Sequence, residues 1–171
     1  IDFVLTIVGD GPELNNLKTR AKKLMIDNKV IFTGRIDNRL LPSLLQQSDY
    51  YISMPITEGV SASLFEAMAS GSYPLVTDIP GNQSWIRHRQ NGNLISVDDA
   101  KMLADELLWA SQNNEIVADA IVENRHFVEA NADYRRNMKQ IADRYHQLID
   151  SSQNQIGKST RLNSSHLGIS R

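Results

Sequence analysis

Short β-branched or apolar runs alternate along the chain with longer stretches of helical periodicity. "FVLTIVG" (3–9) has the make-up of a buried strand, and the turn Asp10-Gly11-Pro12 separates it from a basic amphipathic stretch over 13–25. "KVIFTG" (29–34) predicts the next strand, 38–47 a short helix and "DYYISM" (49–54) a third strand. Segment 57–71 reads as a polar turn running into a helix that stops at Gly71. A fourth strand follows at "YPLVTD" (73–78), a short helical turn at 82–89 and a fifth strand at "NGNLISV" (91–97). From Asp98 onward the pattern is helical, over 98–112, 115–129 and 132–150. Strands this short, with helices between them, imply a parallel sheet covered on both faces, a doubly wound, Rossmann-like α/β architecture. Ligands of such sheets sit beyond the carboxyl ends of the strands. That rule directs attention to Gly9–Pro12, Gly34 with Arg35, Pro55–Ser61 and Asp78–Asn82.

Composition narrows the chemistry. A chain of 171 residues with 41% hydrophobic and 22% charged residues is globular rather than disordered. Its formal net charge of −2 gives no overall basic field for nucleic acid. With no cysteine, disulfides, thiol catalysis and Cys-based zinc sites are excluded, and the balance leans towards the cytoplasm. His88, His126 and His146 fall in separate helical segments without ligand spacing, so no metal site is expected. Arg87-His88-Arg89 reads as a solvated helix end, and Trp85, Trp109 and Tyr145 as packing residues. The chain opens at Ile1 inside a strand and is expected to be a segment cut on its N-terminal side. At the other end, "KSTRLNSSHLGIS" (158–170) resembles the translation of a sequencing adapter. Residues 151–171 are therefore expected to be a disordered tail, with 158–170 an artefact. Gly157-Lys158-Ser159 imitates the end of a P-loop, but Ser152 stands where that motif needs glycine.

The stretch "TEGVSASLFEAMASG" (57–71) carries two glutamates, Glu58 and Glu66, with seven residues between them. One reading is local: Ser63 and Glu66 match a capping box, and Glu58 is a loop residue. The other is chemical. Gly59, Val60 and Ser61 place unpaired amides at a helix start, where amides and the helix dipole attract an anion such as phosphate. A carboxylate there is suited to accepting hydrogen bonds from neutral hydroxyls beside the phosphate, from a sugar at Glu58 and from ribose at Glu66. The remaining candidates stay two-sided. Gly9, Gly11 and Pro12 form either part of a nucleotide turn, lacking the third glycine of GxGxxG, or a tight strand-to-helix turn. Gly34 either admits a planar base to the backbone or ends a strand, and Arg35 either pairs with phosphate or is solvated. Asp78–Asn82 either borders the cleft or caps a helix.

Taken in order, "TIVGDGPELNNLK", "VIFTGRI", "SDYYISMPITEGVSASLFEAMASGSYPLVTDIPGN" and "NGNLISVDD" resemble the C-terminal, donor-binding domain of the retaining, nucleotide-sugar-dependent glycosyltransferases of GT-B fold. This is the group 1 type with an E-x7-E signature, and the resemblance spans residues 1–150. It implies that Glu58 contacts the donor sugar and is the catalytic carboxylate, that Glu66 holds the ribose, and that Gly59, Val60 and Ser61 hold the diphosphate. By the same resemblance Gly34 and Arg35 lie by the base, and Gly9 and Gly11 shape the floor of the nucleotide site. It implies transfer with retention from an NDP-sugar, with no cofactor and no obligatory metal. The acceptor, a saccharide or a lipid-linked one in surface polysaccharide synthesis, would be bound by an N-terminal domain outside this chain. Such an acceptor allows peripheral association with the inner face of a membrane. The fragment alone is expected to be inactive. Relatives often carry a basic residue and a Glu where Gln83 and Ser84 stand, which removes those charges from the site. A glycoside hydrolase would also use two carboxylates, but flanking one glycosidic bond and without an anion site. A sugar-nucleotide epimerase accounts less well for the E-x7-E spacing, and a non-catalytic α/β nucleotide-binding or regulatory module would tolerate loss of both glutamates.

Overall fold

In the computed structural model, which describes residues 2–164, strand and helix alternate as far as β5 and three helices follow. The order is β1 (Leu5–Val8), α1 (Leu14–Lys23), β2 (Val30–Gly34), α2 (Leu41–Gln46), β3 (Tyr50–Ser53) and α3 (Ala62–Ser70). Then come β4 (Tyr73–Thr77), α4 (Pro80–Gln83), β5 (Asn93–Ile95), α5 (Ala100–Gln112), α6 (Asn114–Asn131) and α7 (Tyr134–Ser164). Every strand pairing is parallel, and the fold is the Rossmann-like α/β class that the pattern predicts.

The strands form two sheets rather than one. β1 pairs with β2, and β3, β4 and β5 form a second sheet in that order. The crossover through α2 does not return β3 to either edge of the first pair, so β1 and β3 each keep an unpaired edge. This has a cost in burial. The pattern predicts a buried first strand, yet Leu5 and Val8 are exposed and Val4 is 68% exposed, because a two-stranded ladder has too few neighbours to cover it. β4 has the opposite environment. All five of its residues are buried, and Tyr73 and Leu75 join Ile95, Ala110, Val117 and Ala120 in one apolar core.

Helix α3 shows how the sequence places its own boundaries. Leu64, Ala67 and Met68 are buried while Ala62, Glu66 and Ala69 are exposed, the two faces of a 3.6-residue period. Gly71 ends it in the left-handed region (φ 93°), with its N–H and that of Ser72 both donating to Ala67 O.

The buried polar atoms of this unit form a chain. Tyr73 OH donates to Asn93 Oδ1 at 2.7 Å, and Asn93 Nδ2 donates to Glu106 Oε2 at 2.8 Å. Arg89 closes the chain with a fork on Glu106, Nε to Oε2 at 2.9 Å and Nη2 to Oε1 at 2.7 Å, while lying over the Trp109 ring. Burial, and then the Glu106 charge, push the Tyr73 hydroxyl above its ordinary range, which keeps it a donor. The bond to Glu106 likewise raises Arg89. The expectation of a solvated helix end at Arg87–Arg89 is therefore corrected. The chain turns at Arg89 (φ 58°), its guanidinium meets a buried carboxylate, and His88 Nδ1 accepts from Leu94 N at 3.1 Å. Only Arg87 remains largely exposed, paired with the equally exposed Glu123.

The contacts divide the chain into two compact units between Arg125 and His126, inside α6. In the second unit, Asp133 Oδ1 accepts from Arg136 N at 2.7 Å, and Arg136 Nη2 donates to Glu129 O and Ala130 O. α7 continues to Ser164, past residue 150 where the sequence pattern places the end of the last helix and the start of a disordered tail. No proline interrupts that stretch. Residues 165–171, the end of the adapter-like segment, lie outside the described residues. Tyr145, expected to pack, is 65% exposed on α7. Among the described residues no helix is long and apolar enough to cross a membrane.

Removing Arg89 would leave the buried Glu106 carboxylate to the Asn93 amide and to the His88 imidazole, whose Nε2 lies 3.8 Å away. Because the Arg89 side chain is itself 44% exposed, solvent screens part of this interaction. Arg89→Ala is expected to lower the midpoint of urea denaturation more than Arg87→Ala, whose partner Glu123 is itself exposed.

Candidate functional site

Because all strands run parallel, the loops that follow them emerge at the carboxyl ends of the two sheets. At the first sheet, Gly9 N donates to Gly34 O at 2.8 Å, which joins the ends of β1 and β2. Both glycines have positive φ, 119° at Gly9 and 64° at Gly34, so this corner is closed by backbone that a side chain would strain. Gly11 lies in the following turn, its carbonyl accepting from Leu14 N, so α1 starts at Leu14 rather than at Pro12. Arg35 is exposed, and no ion pair is made by it among the described residues.

At the second sheet the loop from Met54 to Ser61 carries Glu58. It is fastened at three places. Thr77, at the end of β4, donates its buried hydroxyl to Pro55 O at 2.7 Å. Gly81 of α4 packs against the Glu58 and Gly59 carbonyls, so closely that a Cβ there would stand 2.5 Å from Glu58 O and nearer still to Gly59 O. Ser61, 4% exposed, shares a hydrogen bond with Ser63, which is bonded in turn to Tyr51 OH at 2.8 Å.

These bonds overturn the capping-box reading of Ser63 and Glu66. The residue at the N-cap is Ser61, two positions earlier, and Ser63 is already helical with its hydroxyl taken up by Tyr51 and Ser61. Among the described residues no side chain caps α3, so the amides of its first turn have no side-chain acceptor there. Glu58 and Glu66 are both exposed, and neither forms a hydrogen bond or ion pair among the described residues. Glu66 is four residues past Ala62, the first residue of α3, or about 6 Å along the axis. Gly59 and Val60 are exposed between them, and a Cβ at Gly59 would meet nothing within 4 Å.

Further along, Asn82 Nδ2 donates to Thr77 O at 2.9 Å, and Gln83 Nε2 donates to Asp78 Oδ1 at 2.8 Å. Asp78–Asn82 thus builds the wall behind Glu58 instead of only capping a helix. The structure joins Gly9 to Gly34, and Glu58 and Gly59 to Gly81. No hydrogen bond links these two clusters among the described residues. Thr77 is the residue that sequence reasoning missed, and Gly81 entered it only as part of Asp78–Asn82. The only local sign of either is a glycine placed directly after a proline at a helix start.

Other features lie elsewhere. A cavity of about 420 Å³ lined by Gln46, Asp49, Tyr50, Gly71 and Val117 opens at the amino ends of β3 and β4, away from these loops. No cluster of three or more His, Cys, Asp or Glu that could hold a metal occurs among the described residues.

Fold and site together define an α/β domain with two unpartnered carboxylates around the uncapped start of a helix, at the edge where such sheets take ligands. Residues 1–142 match the family of glycosyl transferases group 1, and the chain belongs to that family. It is 33% identical over 116 residues to N-acetyl-alpha-D-glucosaminyl L-malate synthase of Bacillus anthracis, covering 68% of this chain and 30% of that protein. It is 34% identical over 131 residues to the GtfA subunit of a UDP-N-acetylglucosamine–peptide N-acetylglucosaminyltransferase of Limosilactobacillus reuteri, covering 75% of this chain and 23% of that one. The chain thus spans less than a third of either relative. The crystal structure of Anabaena Alr3699/HepE in complex with UDP-glucose superposes with a TM-score of 0.77 at 20% identity, over 84% of this chain and 41% of that one, which establishes a shared fold.

The Thr77 hydroxyl is buried and ties the Glu58 loop to β4. Thr77→Val is expected to cost about 1 kcal/mol in urea denaturation. It should also speed hydrogen exchange at the amides of residues 58–61 more than at those of β4.

Proposed function

We propose that this chain is the donor-binding domain of a retaining glycosyltransferase, and that it holds an NDP-sugar across the start of α3. The observation that carries the reading is the pair Glu58 and Glu66, exposed and without internal partners, on either side of a helix N-terminus that no side chain caps. A diphosphate satisfies first-turn amides and lies favourably on the helix dipole. Neutral hydroxyls on both sides of it satisfy the two carboxylates, those of the donor sugar at Glu58 and those of the ribose at Glu66. Gly59, Val60 and Ser61 present their backbone to the diphosphate, and the open space at Gly59 suits close approach of a ligand. Gly34 and Arg35 lie beside the base, and Gly9 and Gly11 form the floor beneath it. A relative named for UDP-N-acetylglucosamine and a structural neighbour bound to UDP-glucose support a nucleotide-sugar donor.

In the transfer step the bond from the anomeric carbon to the diphosphate breaks, and negative charge gathers on the leaving nucleoside diphosphate. Fixed amides aimed at that charge stabilise it where solvent would have to reorganise. Glu58 orients the sugar and stabilises the positive charge that develops at its ring, without forming a covalent bond to it. The acceptor, a saccharide or a lipid-linked one, is held by a further domain, so the chain alone binds donor without turning it over. No metal takes part.

Titration calorimetry with UDP, UDP-glucose and UDP-N-acetylglucosamine tests the site. Glu66→Ala is expected to weaken UDP and both sugar nucleotides about tenfold, the loss of charge-assisted hydrogen bonds to ribose. Glu58→Ala should weaken the sugar nucleotides about tenfold and leave UDP unchanged, and EDTA should alter neither. Equal binding by wild type and both variants would overturn the reading.

A further inference from the structure

The geometry points to Gly81 as a positioning residue that sets the place of the Glu58–Gly59 turn by backbone contact, an inference that rests on the donor-site reading above. Gly81 occupies the second position of α4, immediately after Pro80. The positive-φ glycines of the described chain are Gly9, Gly34 and Gly71, so Gly81 has a backbone conformation open to any residue. In a helix, alanine is then the better choice by about 1 kcal/mol, and conformation gives no reason for glycine here. Space does. A Cβ at this position would stand 2.5 Å from Glu58 O and closer to Gly59 O, with Gly59 C at 3.1 Å. All three atoms are backbone, and all belong to the turn that presents Glu58.

The α4 side of this contact cannot yield. Asn82, next in the chain, is 2% exposed and tied by its side chain to Thr77 O, and Ile79 is 6% exposed. Ile79 O accepts from both Asn82 N and Gln83 N at 2.9 Å. The turn side can yield, since Glu58, Gly59 and Val60 are all exposed. A side chain at position 81 therefore drives the Glu58 and Gly59 carbonyls outward by about 1 Å, and a misplacement of that size in a positioned group is worth up to about a hundredfold in function. Gly81 touches no ligand in this account. It acts through the two peptide groups that carry Glu58 and open the approach to α3.

The test uses the full chain in three forms. Gly81→Ala is compared with wild type and with Gly92→Ala, where a Cβ meets Pro74 Cγ at 2.8 Å and Pro74 O at 2.9 Å in the interior, away from the donor loops. UDP affinity is measured by calorimetry, stability by thermal melting and backbone position by amide chemical shifts. Gly81→Ala is expected to remain folded, to shift the amides of residues 58–61 above all others, and to bind UDP at least tenfold more weakly. Gly92→Ala is expected to lower the melting temperature and keep wild-type UDP affinity. Wild-type affinity in Gly81→Ala would overturn the inference, as would amide shifts centred outside 58–61. Failure of Gly81→Ala to fold while Gly92→Ala folds would also overturn it, because the interior and not the turn would then be taking the strain. If the wild-type chain binds no UDP, the donor reading fails at that point, and the amide shifts alone still decide whether Gly81 places the turn.

Discussion

The structure depends most on the burial of β4. Its five residues lie between β3 and β5 with no exposed face, and both the apolar core and the loop that carries Glu58 are anchored to it. From its first residue the Tyr73 hydroxyl begins the hydrogen-bonded path to Asn93, Glu106 and Arg89. From its last, the Thr77 hydroxyl holds Pro55 O, and its carbonyl holds Asn82. Buried groups of this kind have few alternative arrangements, because each donor or acceptor set free would stay unsatisfied. The exposed loop over residues 56–60 gains definition from this scaffold, through Thr77 at Pro55, Gly81 at the Glu58 and Gly59 carbonyls and the Ser61–Ser63–Tyr51 bonds.

This division of labour explains which residues of the site hold one another and which do not. Ser61, Thr77, Gly81 and Asn82 are engaged with the protein. Glu58, Glu66 and the first-turn amides of α3 are not. The scaffold of this loop is satisfied internally, while the two carboxylates stay exposed.

Much of the fold was legible in the chain because strand composition and helical period are local properties. All five strands and the α/β class follow from runs such as "VIFTG" and "YPLVT", and the stop at Gly71 follows from the αL conformation that helix ends favour. The split into two sheets was not legible, since edge pairing is decided by neighbours far away in sequence. Glu58 and Glu66 stood out by their spacing, and the structure finds both exposed. The capping box failed because Tyr51, on another strand, takes up the Ser63 hydroxyl. Arg89 looked solvated for a similar reason, its partner Glu106 lying seventeen residues away. Gly81 stood within Asp78–Asn82, but its contact with the Glu58 turn was not legible, because close approach of two segments is a property of the pair.

The open edges of β1 and β3 bear on what these two sheets can still accept. Val4, Leu5, Val8 and Ile52 bring apolar surface to strands whose remaining ladder positions are open, the arrangement that lets a sheet accept a further strand. A parallel edge takes up such a strand without any rearrangement of the core around β4. Strand addition and core burial thus fall to different strands: the open ladder positions to β1 and β3, the apolar core to β4.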